Sequence, residues 1–309
     1  MSHSRVPQGE RLSPIVVGLG EVLWDVFQDQ KRLGGAPANF VYHAKSMGCD
    51  AKLISAVGDD LLGQETLMEL SQTGVGDCFI QKTKKAGTGR VLVNLDLAGQ
   101  PTYSIESNSA WDYLEWTDEL ESLAGLCAAV CFGTLGQRNE SSRNSIRRFL
   151  QSTRGNALRV LDVNIRPPFC DQTLILDSLN LANVLKLNES ELPDVGAMTD
   201  IKVRNVEAAL SELAEKFQLK LVAYTRGADG ALLLQDGAIS HFRLDQPVKI
   251  QDTVGAGDAF TAAVVFGMLH GWPLDKMNEL ANRLASFVCT QLGATPPISD
   301  SIRELFVDS

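Results

Sequence analysis

Residues 183–224 read NVLKLNESELPDVGAMTDIKVRNVEAALSELAEKFQLKLVAY. The stretch opens on NVLKL (183–187) and closes on KLVAY (220–224), short apolar runs of the kind found in strands buried on both faces. Between them Val203, Val206, Leu210, Leu213 and Phe217 recur at three- and four-residue spacing, which predicts an amphipathic helix within 202–217. The same alternation extends outward through IVVGL (15–19), KLISAV (52–57), AAVCF (128–132) and RVLDV (159–163). A chain of this rhythm builds an α/β fold, in which helices cover both faces of a mostly parallel central sheet.

One region breaks the rhythm. Residues 79–106 carry no helical period, and RVLVNLDLAGQPTYSIE alternates over two runs separated by AGQP, which predicts a β-hairpin suited to a lid or a dimerisation sheet.

The 309 residues carry a net charge of -10, which disfavours a broad surface for nucleic acid or anionic membrane. The longest runs without a charged residue, 122–137 and 259–274, are too short and too interrupted to span a bilayer. The opening thirteen residues, MSHSRVPQGERLS, lack an apolar core and read as a disordered tail rather than a signal peptide. Six cysteines with no CxxC pair suggest a reduced, cytoplasmic setting.

Three motifs carry candidate chemistry. In DTVGAGD (252–258), the loop Gly255, Ala256, Gly257 leads directly into the apolar run AFTAAVVFGMLHG. Small residues at a helix start leave backbone N–H groups open to an anion. Asp258, at the mouth of such a site, reads either as a helix cap or as a base that accepts the proton of an attacking hydroxyl while the loop N–H groups hold a phosphoryl group. In KLNESEL (186–192), Asn188 and Glu191 are either oxygen donors on one helical face, suited to magnesium, or a capping pair. In LGGAPANF (33–40), Gly34, Gly35 and Asn39 precede or enter a helix; they suit close approach of a hydroxylated ligand, or a plain helix entry. Asp25 stands in an otherwise apolar stretch and suits either vicinal hydroxyls or a turn. A nicotinamide dehydrogenase would need a third glycine that GLGEVL and GAGDAF both lack.

Residues 34–63, GGAPANFVYHAKSMGCDAKLISAVGDDLLG, and 252–264, DTVGAGDAFTAAV, resemble the two signatures of the ribokinase-like, PfkB-type carbohydrate kinases. The resemblance implies a three-layer α/β/α body over 14–301, with a β lid drawn from parts of about 20–34 and 79–110 that often pairs two subunits into a homodimer, and a C-terminal tail at 302–309. It implies ATP and Mg²⁺ as cofactors and a small-molecule sugar as acceptor. Asp258 would be the catalytic base and Gly255, Ala256 and Gly257 the anion hole. Asp25, Gly34, Gly35 and Asn39 would bind sugar, and Arg166 would lie by the sugar or the phosphate. Asn188 and Glu191 would act on magnesium and phosphate. Thr225, Arg226, Gly227 and Gly230 would contact the nucleotide, with Asn282 near the adenine. In members that use K⁺, Asp252, the Val254 carbonyl and the loop around Gly293 would bind it. GEVLWDVF, SAWDYL and DVNIRPPF look most like fructokinases, and the cations near 25–39 are only Lys31 and Arg32, which favours a neutral sugar such as D-fructose. Kinases for 2-keto-3-deoxygluconate, ribose or a nucleoside would carry the same motifs.

Overall fold

Neighbouring residues along the sheet strands enter different clusters of buried side chains: Val16, Leu53, Ala129 and Leu221 lie in one, and Val17, Ile54, Val130 and Val222 in the other. Side chains alternate between the faces of a strand, so this partition makes a sheet with a core on each side. The computed structural model describes residues 13–95, 101–244, 246 and 248–307.

The elements in chain order are β1 (Ile15–Leu19), β2 (Leu23–Val26), β3 (Lys31–Gly34), α1 (Ala36–Ser46), β4 (Asp50–Gly58), α2 (Leu61–Gln72), β5 (Ile80–Thr83), β6 (Gly89–Leu95) and β7 (Pro101–Ile105). They continue as α3 (Asp118–Ala124), β8 (Ala129–Phe132), α4 (Glu140–Ser152), β9 (Leu158–Asp162), α5 (Gln172–Leu181), β10 (Val184–Asn188), α6 (Leu192–Met198) and α7 (Val206–Lys216). The chain ends with β11 (Leu221–Thr225), β12 (Ala231–Gln235), β13 (Ala238–Phe242), α8 (Ala256–Leu269), α9 (Leu274–Cys289) and α10 (Asp300–Val307).

The main sheet has the order β13-β12-β11-β10-β9-β8-β1-β4-β5, parallel except at β12 and β13. One face is covered by α1, α8 and α9, through Phe40, Phe260 and Leu284 among others. The other is covered by α4, α5 and α7, through Phe149, Ile175 and Leu213. Helix α8 is apolar almost all round because it is enclosed by the sheet, α1 and α9 rather than lying at the surface.

A second sheet, β3-β2-β6-β7, forms the expected lid. Strand β5, within the same stretch of sequence, pairs with β4 and belongs to the main sheet. Strands β6 and β7 form the expected antiparallel hairpin, and the AGQP turn lies, but for Pro101, outside the described residues. The lid packs through Leu23 and Val91 onto Trp111. Trp111 is itself covered by the Arg138 guanidinium, which pairs with the buried Asp112 carboxylate through two bonds of 2.8 Å. The SAWDYL segment is thus the joint between lid and body.

The C-terminal tail expected at 302–309 is corrected. Residues through Val307 form α10, and Phe306 is buried against Phe266 and stacked on Trp272, because Ile302 and Phe306 are spaced to face the core.

Candidate active site

The C-terminal ends of β1, β8, β9, β10 and β11 converge on the crevice where parallel α/β sheets place ligands. Helix α8 starts above it. Its N-cap Gly255 has φ 79°, a conformation that disfavours any side chain, and a Cβ there would also come within 2.6 Å of Ala294. In the first turn Ala256 N–H reaches the Thr253 carbonyl at 3.3 Å, while the N–H groups of Gly255, Gly257 and Asp258 have no acceptor among the described residues. Among the described residues, these are three open donors at the positive end of a helix, an arrangement able to receive an anion.

Asp258 lies in that first turn, half-buried. Burial raises its carboxyl to about 6, with the Asp162 charge adding to the rise and Asn39, Lys186 and Arg166 opposing it. Its Oδ2 accepts a hydrogen bond from Asn39 Nδ2 at 2.8 Å. Asn39, expected to bind a sugar hydroxyl, therefore holds Asp258 through one N–H of its amide, and its second N–H and its carbonyl oxygen remain for a ligand.

Sequence reading missed the layer beneath. Lys186 and Asp162 are buried and paired, Nζ to Oδ1 at 3.0 Å, and Thr261 Oγ1 donates to the other Asp162 oxygen at 3.2 Å. A Cβ on Gly257 would sit 3.1 Å from the Lys186 ammonium, so a fixed positive charge lies directly under the anion loop. Burial opposes that charge, but Asp162, with Glu191 and Asp258 assisting, more than offsets it and raises the Lys186 pKa. The signal was a lysine inside the apolar run NVLKL, where an unpaired charge would be expensive. Also missed was Glu21, buried just past β1. Burial raises its carboxyl to about 7, and its Oε2 has no partner among the described residues.

The Asn188 and Glu191 expectation is corrected in part. Asn188 ends β10 and Glu191 precedes α6, so they do not share a helical face. They bond reciprocally: Glu191 N–H to Asn188 Oδ1 at 3.0 Å, and Asn188 N–H to Glu191 Oε2 at 2.8 Å, the arrangement of a capping pair. Glu191 Oε1 accepts from Ile165 N–H at 3.1 Å, pinning the segment that carries Arg166. Arg166 is exposed, bonds to Asn164 Oδ1 at 2.9 Å and acts electrostatically on Glu21, Asp25 and Asp258.

Asp25 lies on lid strand β2, opposite Arg32 of β3. Burial raises its carboxyl to about 6, with Arg32 lowering it and Asp252 raising it. A Cβ on Gly34 would stand 2.8 Å from Asp25 Oδ2, and Gly35, at φ 107°, caps α1. Gly34 and Gly35 thus lie between Asp25 on the lid and Asn39 in α1.

Thr225 ends β11 beside Asn188, and residues 226–230 form a tight turn in which Arg226 bonds the Asp229 carbonyl. Gly230 abuts the Phe242 carbonyl. Past Phe242, a cavity of about 410 Å³ is lined by Arg243, Leu244, Gln246, Val248, Glu279 and Arg283. Asn282 does not line it. Its amide is tied to Asn278 of the same helix, at 2.8 Å to the carbonyl, while Glu279 and Arg283 face the cavity. Asp252 accepts from Val254 N–H and Gly293 N–H, each at 3.0 Å, and from Arg32 at 3.1 Å.

A model of the pfkB family carbohydrate kinases matches residues 11–301. A fructokinase of Salmonella typhimurium is 32% identical over 270 residues, covering 83% of this chain and 85% of that protein. A sugar kinase of Pyrococcus horikoshii, solved in complex with ATP, matches with TM-score 0.78 at 26% identity over 94% of this chain and 99% of that one. A fructokinase of Xylella fastidiosa with bound ATP shares the fold, with TM-score 0.84 at 20% identity over 95% and 98% of the two chains. The carboxylate at the open helix start thus sits in a chain that matches the family model almost throughout, and the chain belongs to the pfkB family of carbohydrate kinases.

Proposed function

We propose that the chain transfers the γ-phosphoryl group of ATP to a hydroxyl of D-fructose, giving fructose 6-phosphate and ADP. The observation that carries this reading is Asp258, a carboxylate raised to about 6, beside three N–H groups at the start of α8 that have no acceptor among the described residues. Above pH 6 it is ionised and takes the proton of the attacking hydroxyl as the new oxygen–phosphorus bond forms and the bond to the bridging oxygen of ADP breaks. The N–H groups of Gly255, Gly257 and Asp258, with Lys186 beneath, stabilise charge on the transferred group.

The cavity bounded by Arg243, Val248, Glu279 and Arg283 suits the nucleoside end of ATP, next to the 226–230 turn. Magnesium, when bound, neutralises phosphate charge. Asn188 Oδ1 already accepts from Ser190 N–H, Ser190 Oγ and Glu191 N–H and does not fit direct ligation. Each Glu191 oxygen keeps a lone pair and fits a magnesium-bound water. The lid side supports a neutral acceptor. Lys31 is paired with Glu65 and Arg32 with Asp252, so neither is left to receive a second phosphate. Fructose rather than another neutral acceptor is supported by the name of the Salmonella relative.

The test is ADP release with ATP and magnesium across D-fructose, fructose 6-phosphate, 2-keto-3-deoxygluconate, ribose and a nucleoside. D-fructose is expected to give the highest kcat/KM. A higher value for another acceptor overturns the choice of sugar, and no turnover with any of them overturns the kinase reading itself.

A further inference from the structure

We propose that Arg32 replaces the monovalent cation at Asp252, so that this chain organises its anion loop without potassium. The position expected to hold a monovalent cation is defined by Asp252, the Val254 carbonyl and the loop around Gly293, and its donor set does not fit one. Each Asp252 oxygen accepts from a donor that carries hydrogen, and Oδ2 accepts from two. Oδ1 accepts from Val254 N–H at 3.0 Å, and Oδ2 accepts from Gly293 N–H at 3.0 Å and from the Arg32 guanidinium at 3.1 Å. A potassium ion on the same carboxylate would lie against a guanidinium of like charge.

The guanidinium is well placed for that role. Arg32 lies on β3, two residues before Gly34, and its side chain reaches from the lid to a residue 220 positions away in sequence. It stacks over Phe27, with 5.5 Å to the ring centroid, and is 33% exposed, while Asp252 is 18% exposed. The loop it meets is the one that shapes the site. Asp252 sits three residues before Gly255, and Gly293, whose N–H also binds Asp252, precedes the Ala294 backbone packed against Gly255. The Asp252 carboxylate thus joins 252–255 to 293–294, and the positive charge that balances it comes from the lid that also carries Asp25. The lid and the anion loop are in this way tied through one ion pair.

Thermal unfolding provides a readout independent of catalysis, because a cation bound only by the folded chain raises its Tm by mass action. At matched ionic strength, wild-type Tm is expected to be equal in potassium, sodium and N-methylglucamine salts. Arg32→Gln, which removes the like charge and one of the two donors on Asp252 Oδ2, is expected to have a lower Tm in N-methylglucamine and to recover part of the loss in potassium. A wild-type Tm that rises with potassium overturns the proposal, as does an Arg32→Gln variant that ignores the cation. The activity arm rests on the kinase reading. Wild-type kcat/KM should change less than about twofold among the three salts, whereas Arg32→Gln should lose about tenfold or more without potassium and regain activity with it. A loss that no monovalent cation restores assigns Arg32 to lid docking alone and overturns the proposal. Because the thermal arm needs no acceptor, failure of this inference and failure of the kinase reading are separable.

Discussion

Asn39 Nδ2 and Asp258 Oδ2 lie 2.8 Å apart, joining the first turns of α1 and α8 across 219 residues of chain. The bond favours the ionised carboxylate and opposes the burial that raises it to about 6. In the wild type, kcat should therefore rise with pH through about 6 and then level. Asn39→Ala removes the donor, so the rise should move to higher pH and the plateau should fall by about 10- to 100-fold, as expected for one lost charge-assisted bond. A pH profile of kcat measures both. An unshifted limb with a raised acceptor KM would return Asn39 to the sugar.

Asp258→Asn removes the base and keeps the shape. Turnover should fall by roughly 10²- to 10⁴-fold, the range for a positioned base. Stability should move the other way. A carboxyl whose folded pKa is raised from 3.8 to about 6 contributes stability below pH 4 that is lost as pH rises through 6. Above that window the amide variant, which Asn39 can still serve, should be at least as stable as wild type. A variant with near-native turnover, or one that is much less stable at pH 8, would make Asp258 a structural cap.

The strands were legible because parallel strands buried on both faces read as apolar runs, and the anion loop because Gly255 must adopt φ 79°. Helix α10 was legible too: Ile302, Leu305 and Phe306 repeat at three- and four-residue spacing behind Asp300, and the expectation of a tail stopped short of that pattern. Hidden were the pairings between distant segments. That Asn39 turns to Asp258, and Arg32 to Asp252 rather than to a sugar, depends on how the lid and two helices are brought together, which no local spacing encodes. Lys186 announces itself as a charge inside an apolar strand, but the identity of its partner, 24 residues earlier on β9, emerges only from strand order.

Lys186 and Asp162 separate stability from chemistry. Lys186→Met leaves the Asp162 charge buried with Thr261 as its remaining side-chain partner, which should destabilise by about 3–5 kcal/mol and also slow turnover. Adding Asp162→Leu removes the orphaned charge and should restore most of the stability, since an apolar pair is a tolerated replacement for a buried ion pair. It should not restore turnover, because the positive charge under Gly257 is still missing. Chemical denaturation and steady-state rates on the single and double variants check this. Recovery of both together would make Lys186 purely structural.

Glu191→Gln tests the capping pair. Each glutamate oxygen accepts a backbone N–H, from Asn188 and from Ile165, and glutamine offers only one oxygen. One buried N–H then faces another donor, a loss of about 1–3 kcal/mol that a lowered Tm would report. The magnesium concentration for half-maximal rate should rise as well, because the charge that places a metal-bound water is gone. An unchanged Tm would show that the reciprocal bonds carry no stability.

Glu21→Gln makes the opposite forecast. Burial raises this carboxyl from 4.5 to about 7, and its Oε2 has no partner among the described residues. Its contribution is fully present below pH 4.5 and is lost as pH rises through 7, because the folded chain holds a proton that the unfolded chain has released. His43, lowered from 6.5 to about 4 by burial despite its bond to the Ala294 carbonyl, acts with the other sign, and its stability is lost as pH falls through that interval. Removing the Glu21 charge should therefore leave stability near pH 5 little changed and raise it at pH 8, where the wild type must ionise a buried acid. Denaturant midpoints at the two pH values decide the matter. A Glu21→Gln variant less stable than wild type at pH 8 would mean that the ionised carboxylate has a stabilising partner, with Arg166, whose charge lowers its pKa, as the group to mutate next.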